Sequence, residues 1–216
     1  MPAKNVVKEF YPDAYYHIYN RGVAKQTIFI DEQDYKSFLS YLKIYLSSID
    51  KSIKVSPSRK LKNYFQKLRL LAYCLMPNHF HLFIWQENKN SISEFMQSIL
   101  TKYSMYFNKK YKRIGPVFQG KYKAVRIVSE NQFTYLSKYL HRNPFQILPT
   151  GSDLEGYKYS SYQNYLRKFS QSWLDINEIL NYFSKTKTFN SYKNFVEEID
   201  ETDLLRIKNL VLDLDF

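Results

Sequence analysis

The chain has 216 residues and a single cysteine, Cys74, so it suits one well-cored domain with an extension, excludes an internal disulfide and fits a reducing compartment, the cytoplasm. No stretch approaches the roughly 20 apolar residues of a membrane span, and the opening segment with Lys4, Lys8, Glu9 and Asp13 lacks a signal-peptide run, so a soluble, unexported protein with no membrane partner is expected. Net charge is +12, and because seven acids fall in the last 21 residues, residues 1–195 carry 30 bases against 13 acids, an excess that attracts polyanions; 18% aromatics add stacking surfaces for unpaired bases.

Tyr15 to Tyr19 reads as a strand ending at Asn20-Arg21-Gly22, where glycine permits a turn. A helix follows, with Asp31 as N-cap and Tyr35, Phe38, Leu39, Leu42, Tyr45 and Leu46 at helical spacing. Residues 47–68 are polar and basic and read as an exposed connection with a short helix from about Arg59. Arg69–Met76 and His79–Gln86 are strand-like runs separated by Pro77-Asn78, a hairpin signal.

Ser91, with Glu94 three residues on, predicts a capping box for a second helix whose stripe is Ile92, Phe95, Met96, Ile99, Leu100, Tyr103 and Phe107. Val117 to Val128 reads as a fourth strand, and Ser129 with Gln132 caps a third helix that ends near Asn143 because of Pro144. The order is strand, helix, strand, strand, helix, strand, helix. That is an α+β fold, a ferredoxin-like βαββαβ antiparallel sheet with two helices on one face and an added helix. Beyond it, the stretches 162–169, 176–183 and 192–199 suggest a C-terminal helical appendage.

Alternate residues of a strand share a face, so His79 and His81 project together while Phe80, Leu82 and Ile84 point the other way. Two imidazoles a few ångströms apart suit a divalent ion. An isolated H-x-H is more often a pair of ordinary half-exposed histidines, but the chain has only four, and these two follow a tight turn. On the third helix Tyr139 and Asn143 lie one turn apart at the edge of the stripe Phe133, Leu136 and Leu140, so packing that stripe aims a phenol and an amide oxygen at the histidines. Tyr135 lies one turn earlier. His17 and His141 are spare candidates for phosphate contact or proton transfer, with a satisfied structural role the commoner outcome. Phosphate contacts are expected from Lys109, Lys110, Lys112 and Arg113 after the second helix, from Lys121, Lys123 and Arg126 on the fourth strand, and from Arg142.

The segments CLMPNHFHLFIW, VFQGKYKAVRI and YLHRNP, with YHIYNRG near the start and YKYSSYQNYL after the core, resemble the HUH single-tyrosine transposases of bacterial insertion sequences, especially their REP-associated tyrosine transposase branch. The resemblance implies a catalytic domain over 1–150 and a C-terminal helical extension with an acidic tail over 151–216. It implies Mg²⁺ or Mn²⁺ held by His79, His81 and Asn143, and Tyr139 as the nucleophile that forms a 5′-phosphotyrosine link. Lys138 or Arg142, or the metal itself, would help ionise that phenol. The implied partner is single-stranded DNA with hairpin (palindromic) elements, bound by a monomer or homodimer. Two rival readings are a domesticated DNA-hairpin binder that no longer transposes, and an RNA-binding ferredoxin-like domain whose sheet aromatics stack bases, although the RNP1-type pattern is absent.

Overall fold

The computed structural model describes residues 9–48, 62–183 and 188–198. Four strands, β1 (Ala14–Arg21), β2 (Leu68–Met76), β3 (His79–Gln86) and β4 (Lys123–Ile127), form one sheet in the order β2-β3-β1-β4 with every neighbouring pair antiparallel. The intervening helices are α1 (Glu32–Leu46) and α2 (Ser91–Lys110), and α3 (Glu130–Arg142) follows β4. This is the expected βαββαβ order with the added helix, and β1 and β3 occupy the centre of the sheet.

Period-two alternation sorts the two faces. Tyr16, Ile18, Phe80, Leu82 and Ile84 meet Phe38 and Leu42 of α1 and Phe95, Ile99 and Tyr103 of α2 in the larger core. The opposite face carries Leu71, Ala72 and Phe83 against Phe133, Leu136 and Leu140 of α3. Burial of each such side chain contributes roughly 1.5–3 kcal/mol, which is what holds a helix of 13 residues that would be marginal in isolation. The second core is completed by α4 (Tyr162–Tyr165), α5 (Asn177–Leu180) and α6 (Thr188–Glu197), through Tyr162, Tyr165, Ile179, Leu180 and Tyr192. The first two are shorter than the expected stretches 162–169 and 176–183, and α6 begins four residues before the expected 192–199 and ends two residues before it does.

Local chemistry explains the boundaries. Asp31 and Asp34 form a reciprocal capping box at the start of α1. At α2 the box expected from Ser91 does not form. Asn90 is the N-cap, and Gln86 Oε1, at the end of β3, accepts from Ile92 N at 3.1 Å while Gln86 Nε2 donates to Tyr11 O, so a strand residue satisfies the helix end. Ser129 Oγ accepts from Gln132 N and Gln132 Oε1 accepts from Val128 N, closing the start of α3 as expected.

The fourth strand is shorter than the run 117–128. Gly120 sits at φ +68, and Val117 and Phe118 are buried in the preceding loop, which pairs with the end of β1 through Gly22 and Phe118. Gly22 itself is extended, at φ −62 and ψ 147, so the chain turns there without a left-handed glycine. Glycine is needed there because a Cβ would lie 2.1 Å from Gln26 O. Residues 49–61, with most of the expected helix near Arg59, and the acidic tail beyond 198 lie outside the described residues. Among the described residues no helix is long and apolar enough to cross a membrane.

Candidate active site

β1 and β3 place His17, Tyr19, His79 and His81 on the face that α3 covers. In register, Tyr19 lies opposite His81 and Arg21 opposite His79. The rings of His79 and His81 are 4.9 Å apart and nearly perpendicular, whereas His17 stacks on His81 at 5.1 Å. The packed stripe of α3 then sets the Tyr139 ring edge-on against His81 at 5.5 Å and His17 at 6.2 Å. His17 is fully buried and His81 is 5% exposed, so this cluster is enclosed from beneath by the sheet and from above by the helix.

Burial pushes the His81 pKa well below the usual histidine range, with His79 and His17 adding to the effect, so the ring is neutral near pH 7 and retains a lone pair. Its Nδ1 lies 2.9 Å from His17 Nε2. Its Nε2 is buried without a hydrogen-bond partner. Asn143 is in the same condition: it is 2% exposed, its Nδ2 donates to Tyr139 O at 2.9 Å, and its Oδ1 has no partner. Buried polar atoms are nearly always satisfied, and His81 Nε2 and Asn143 Oδ1 are two of five buried side-chain atoms without a hydrogen-bond partner among the described residues. Imidazole nitrogen and amide oxygen are a donor set that fits Mn²⁺ or Mg²⁺.

The family of IS200-like transposases matches residues 11–143, which span all four strands, α1 to α3 and Asn143. The chain belongs to that family. A solved REP-associated tyrosine transposase bound to a REP hairpin is similar in fold, with a TM-score of 0.51 and 10% identity over 78% of this chain and 92% of that one. A proposed transposase from Deinococcus radiodurans is more distant, with a TM-score of 0.38 and 15% identity over 66% of this chain and 97% of that one. No curated protein matches the sequence.

The remaining expected residues of this transposase are dispersed. Tyr135 packs on Phe195 of α6 at 5.3 Å. Lys138 is buried at 3% exposure, with its ammonium over the Phe195 ring. Arg142 donates to Val196 O and Glu198 O and lies over Phe145. Both cations considered for ionising Tyr139 are thus engaged by the C-terminal helix or its flank. His141 is a satisfied structural histidine, with Nδ1 2.6 Å from the Tyr192 hydroxyl and Nε2 2.7 Å from Ser161 Oγ.

Of the expected phosphate contacts, Lys123 lies on the histidine face, 5.5 Å from the Tyr19 ring, while Lys121 and Arg126 are exposed and Arg126 stacks on Tyr11. Lys109 and Lys112 are exposed, and Arg113 lies over Phe107. Lys110 is engaged within the fold. Its ammonium bonds Asp31 at 2.6 Å and the fully buried Asp34 at 2.7 Å, and Tyr106 and Tyr111 donate to the same Asp34, so it locks the start of α1 to the end of α2 and is already neutralised.

Three residues of the locus escaped the sequence reading: His17 as a partner of His81, Asn78, whose Oδ1 is 2.6 Å from His79 Nδ1, and Arg21, held through Nε by Gln119 at 2.5 Å beside His79. The alternation His17, Tyr19, Arg21 was a usable signal for one shared face. Which strand would lie beside it was not.

Proposed function

We propose that the chain is a metal-dependent single-strand DNA endonuclease and strand transferase of the REP-associated tyrosine branch, acting beside DNA hairpins with Tyr139 as nucleophile. The observation that carries this reading is the Tyr139 ring set edge-on against His81 within one chain, next to two unpartnered buried acceptors, His81 Nε2 and Asn143 Oδ1. His79, His81 and Asn143 would hold Mg²⁺ or Mn²⁺, which when bound would draw charge from the scissile phosphate. The Tyr139 oxygen attacks phosphorus in line and gives up its proton. The bond to the 3′ oxygen breaks, that oxygen takes up a proton, and the 5′-phosphate remains on tyrosine. The covalent link conserves the phosphodiester for rejoining, which attack by water would not.

Strand-transfer chemistry needs the DNA as an unpaired, splayed backbone. Lys123 and Arg21 border the histidines on the same face and are the first candidates to grip it; Arg126, opposite Tyr16, and Lys121, Lys109, Lys112 and Arg113, on or beside α2, are further candidates on the α1 and α2 side. The RNA-binding alternative loses its platform, because the face on which sheet aromatics would stack bases is covered by α3 to α6.

The test is a short hairpin-tailed DNA incubated with Mn²⁺ and analysed on a denaturing gel for a protein–DNA adduct. Tyr139→Phe should abolish the adduct and Tyr135→Phe should retain it. The reverse pattern reassigns the nucleophile, and no adduct with the native chain on any hairpin-tailed strand sinks the reading in favour of a hairpin binder. Mixing Tyr139→Phe with His81→Ala chains should restore nothing, since one chain supplies both groups.

A further inference from the structure

Asn78 and His79 show how the turn before β3 treats its imidazole. Asn78 Nδ2 donates to Lys25 O at 3.3 Å, which orients the amide so that Oδ1 faces His79 Nδ1 at 2.6 Å. An amide oxygen only accepts, so His79 carries its proton on Nδ1 and keeps the lone pair on Nε2. At His81 the corresponding contact comes from a different strand. His17 Nε2, fully buried on β1, lies 2.9 Å from His81 Nδ1, and a single proton fits between the two nitrogens, so only one of them can donate. Were His17 the donor, the His81 proton would sit on Nε2, a buried N–H with no acceptor and with no lone pair to offer a cation. With His81 donating instead, both rings of the H-x-H pair share one form, Nδ1–H with the lone pair on Nε2.

We propose that His17 is a positioning residue that accepts a hydrogen bond from His81 Nδ1 and so holds His81 with its Nε2 lone pair turned to a divalent cation, as Asn78 does for His79. The inference rests on the metal-binding reading above. It goes further by assigning the partner that fixes tautomer and ring angle, the contribution such outer contacts make in metal sites generally. His17 touches neither cation nor DNA in this account. It is the only one of the two partners that is itself a titratable ring, and it requires its own proton on Nδ1.

Mn²⁺ titration of the DNA-free protein, followed by the loss of the free-ion electron paramagnetic resonance signal, tests the proposal without any turnover. His17→Phe should weaken Mn²⁺ binding roughly 10- to 100-fold, while His17→Gln, whose amide oxygen can accept from Nδ1–H, should remain within a few-fold of native. His81→Ala should lose binding altogether. If His17→Phe binds like the native chain and His81→Ala does not, the positioning role is wrong and the metal site stands. If His81→Ala also binds like the native chain, the metal reading itself fails and takes this inference with it. Long-range ¹⁵N–¹H spectra of the native, metal-free protein provide the independent measurement should His17→Phe not fold. His81 is expected as the Nδ1–H form, and finding the proton on Nε2 overturns the proposal.

Discussion

Residues at the end of β1 illustrate how much can depend on a missing side chain. Gly22 N donates to Asn78 O at 2.8 Å, tying the strand end to the turn that carries His79, and there is no room for a Cβ against Gln26 O. Gly22→Ala should therefore destabilise the protein by about 1–3 kcal/mol, read as a lower urea midpoint at unchanged slope. A midpoint equal to native would mean the backbone there relaxes freely. The same residue shows where local reading stops. Asn20-Arg21-Gly22 marked the end of a strand correctly, but the reason for glycine was a close approach by Gln26, which no turn rule contains.

Helix α3 carries Tyr139, ends at its C-cap Asn143 and must be anchored from outside. His141 does this with both ring nitrogens: Ser161, which bonds the β2 backbone at Tyr73, is on one side and Tyr192 of α6 on the other. Full burial lowers the His141 pKa to about 3, against 6.5 in the unfolded chain. Above pH 6.5 both states are neutral and this residue contributes no pH dependence. As pH falls from 6.5 towards 3 the unfolded chain takes up a proton that the native ring refuses, so stability is lost across that window. Thermal midpoints measured from pH 7 to about pH 4 should fall less steeply in His141→Gln than in the native protein; parallel curves would show that the ring is not held neutral. The stripe Phe133, Leu136 and Leu140 and the Ser129 cap made α3 readable in advance, whereas the anchoring residues Ser161 and Tyr192 lie 20 and 51 positions away and carried no such signal.

For the whole molecule the electrostatic expectation is steep salt dependence. With Lys110 paired to Asp31 and Asp34, the proposed phosphate contacts among the described residues are Arg21, Lys109, Lys112, Arg113, Lys121, Lys123 and Arg126, with Arg142 partly engaged. Affinity for a hairpin-tailed strand should drop by orders of magnitude between roughly 50 and 300 mM salt, and Lys123→Ala should reduce the slope while Lys110→Ala should instead lower stability. A slope that responds to Lys110 and not to Lys123 would put the DNA on the α1 and α2 side of the sheet. Element order and the antiparallel α+β class followed from periodicity, and the chain's family membership agrees with the fold so derived.

Sequence alone determined the α+β order, the common face of His79 and His81, and the one-turn spacing of Tyr139 and Asn143, because each is a consequence of short-range helical or strand geometry. Tertiary structure decided which strand lies beside β3, and with it that His17 reaches His81, that Lys138 and Arg142 turn to the C-terminal helix, and that Lys110 serves the fold. Those outcomes depend on register and packing between segments far apart in the chain, which a pattern of period 2 or 3.6 does not encode.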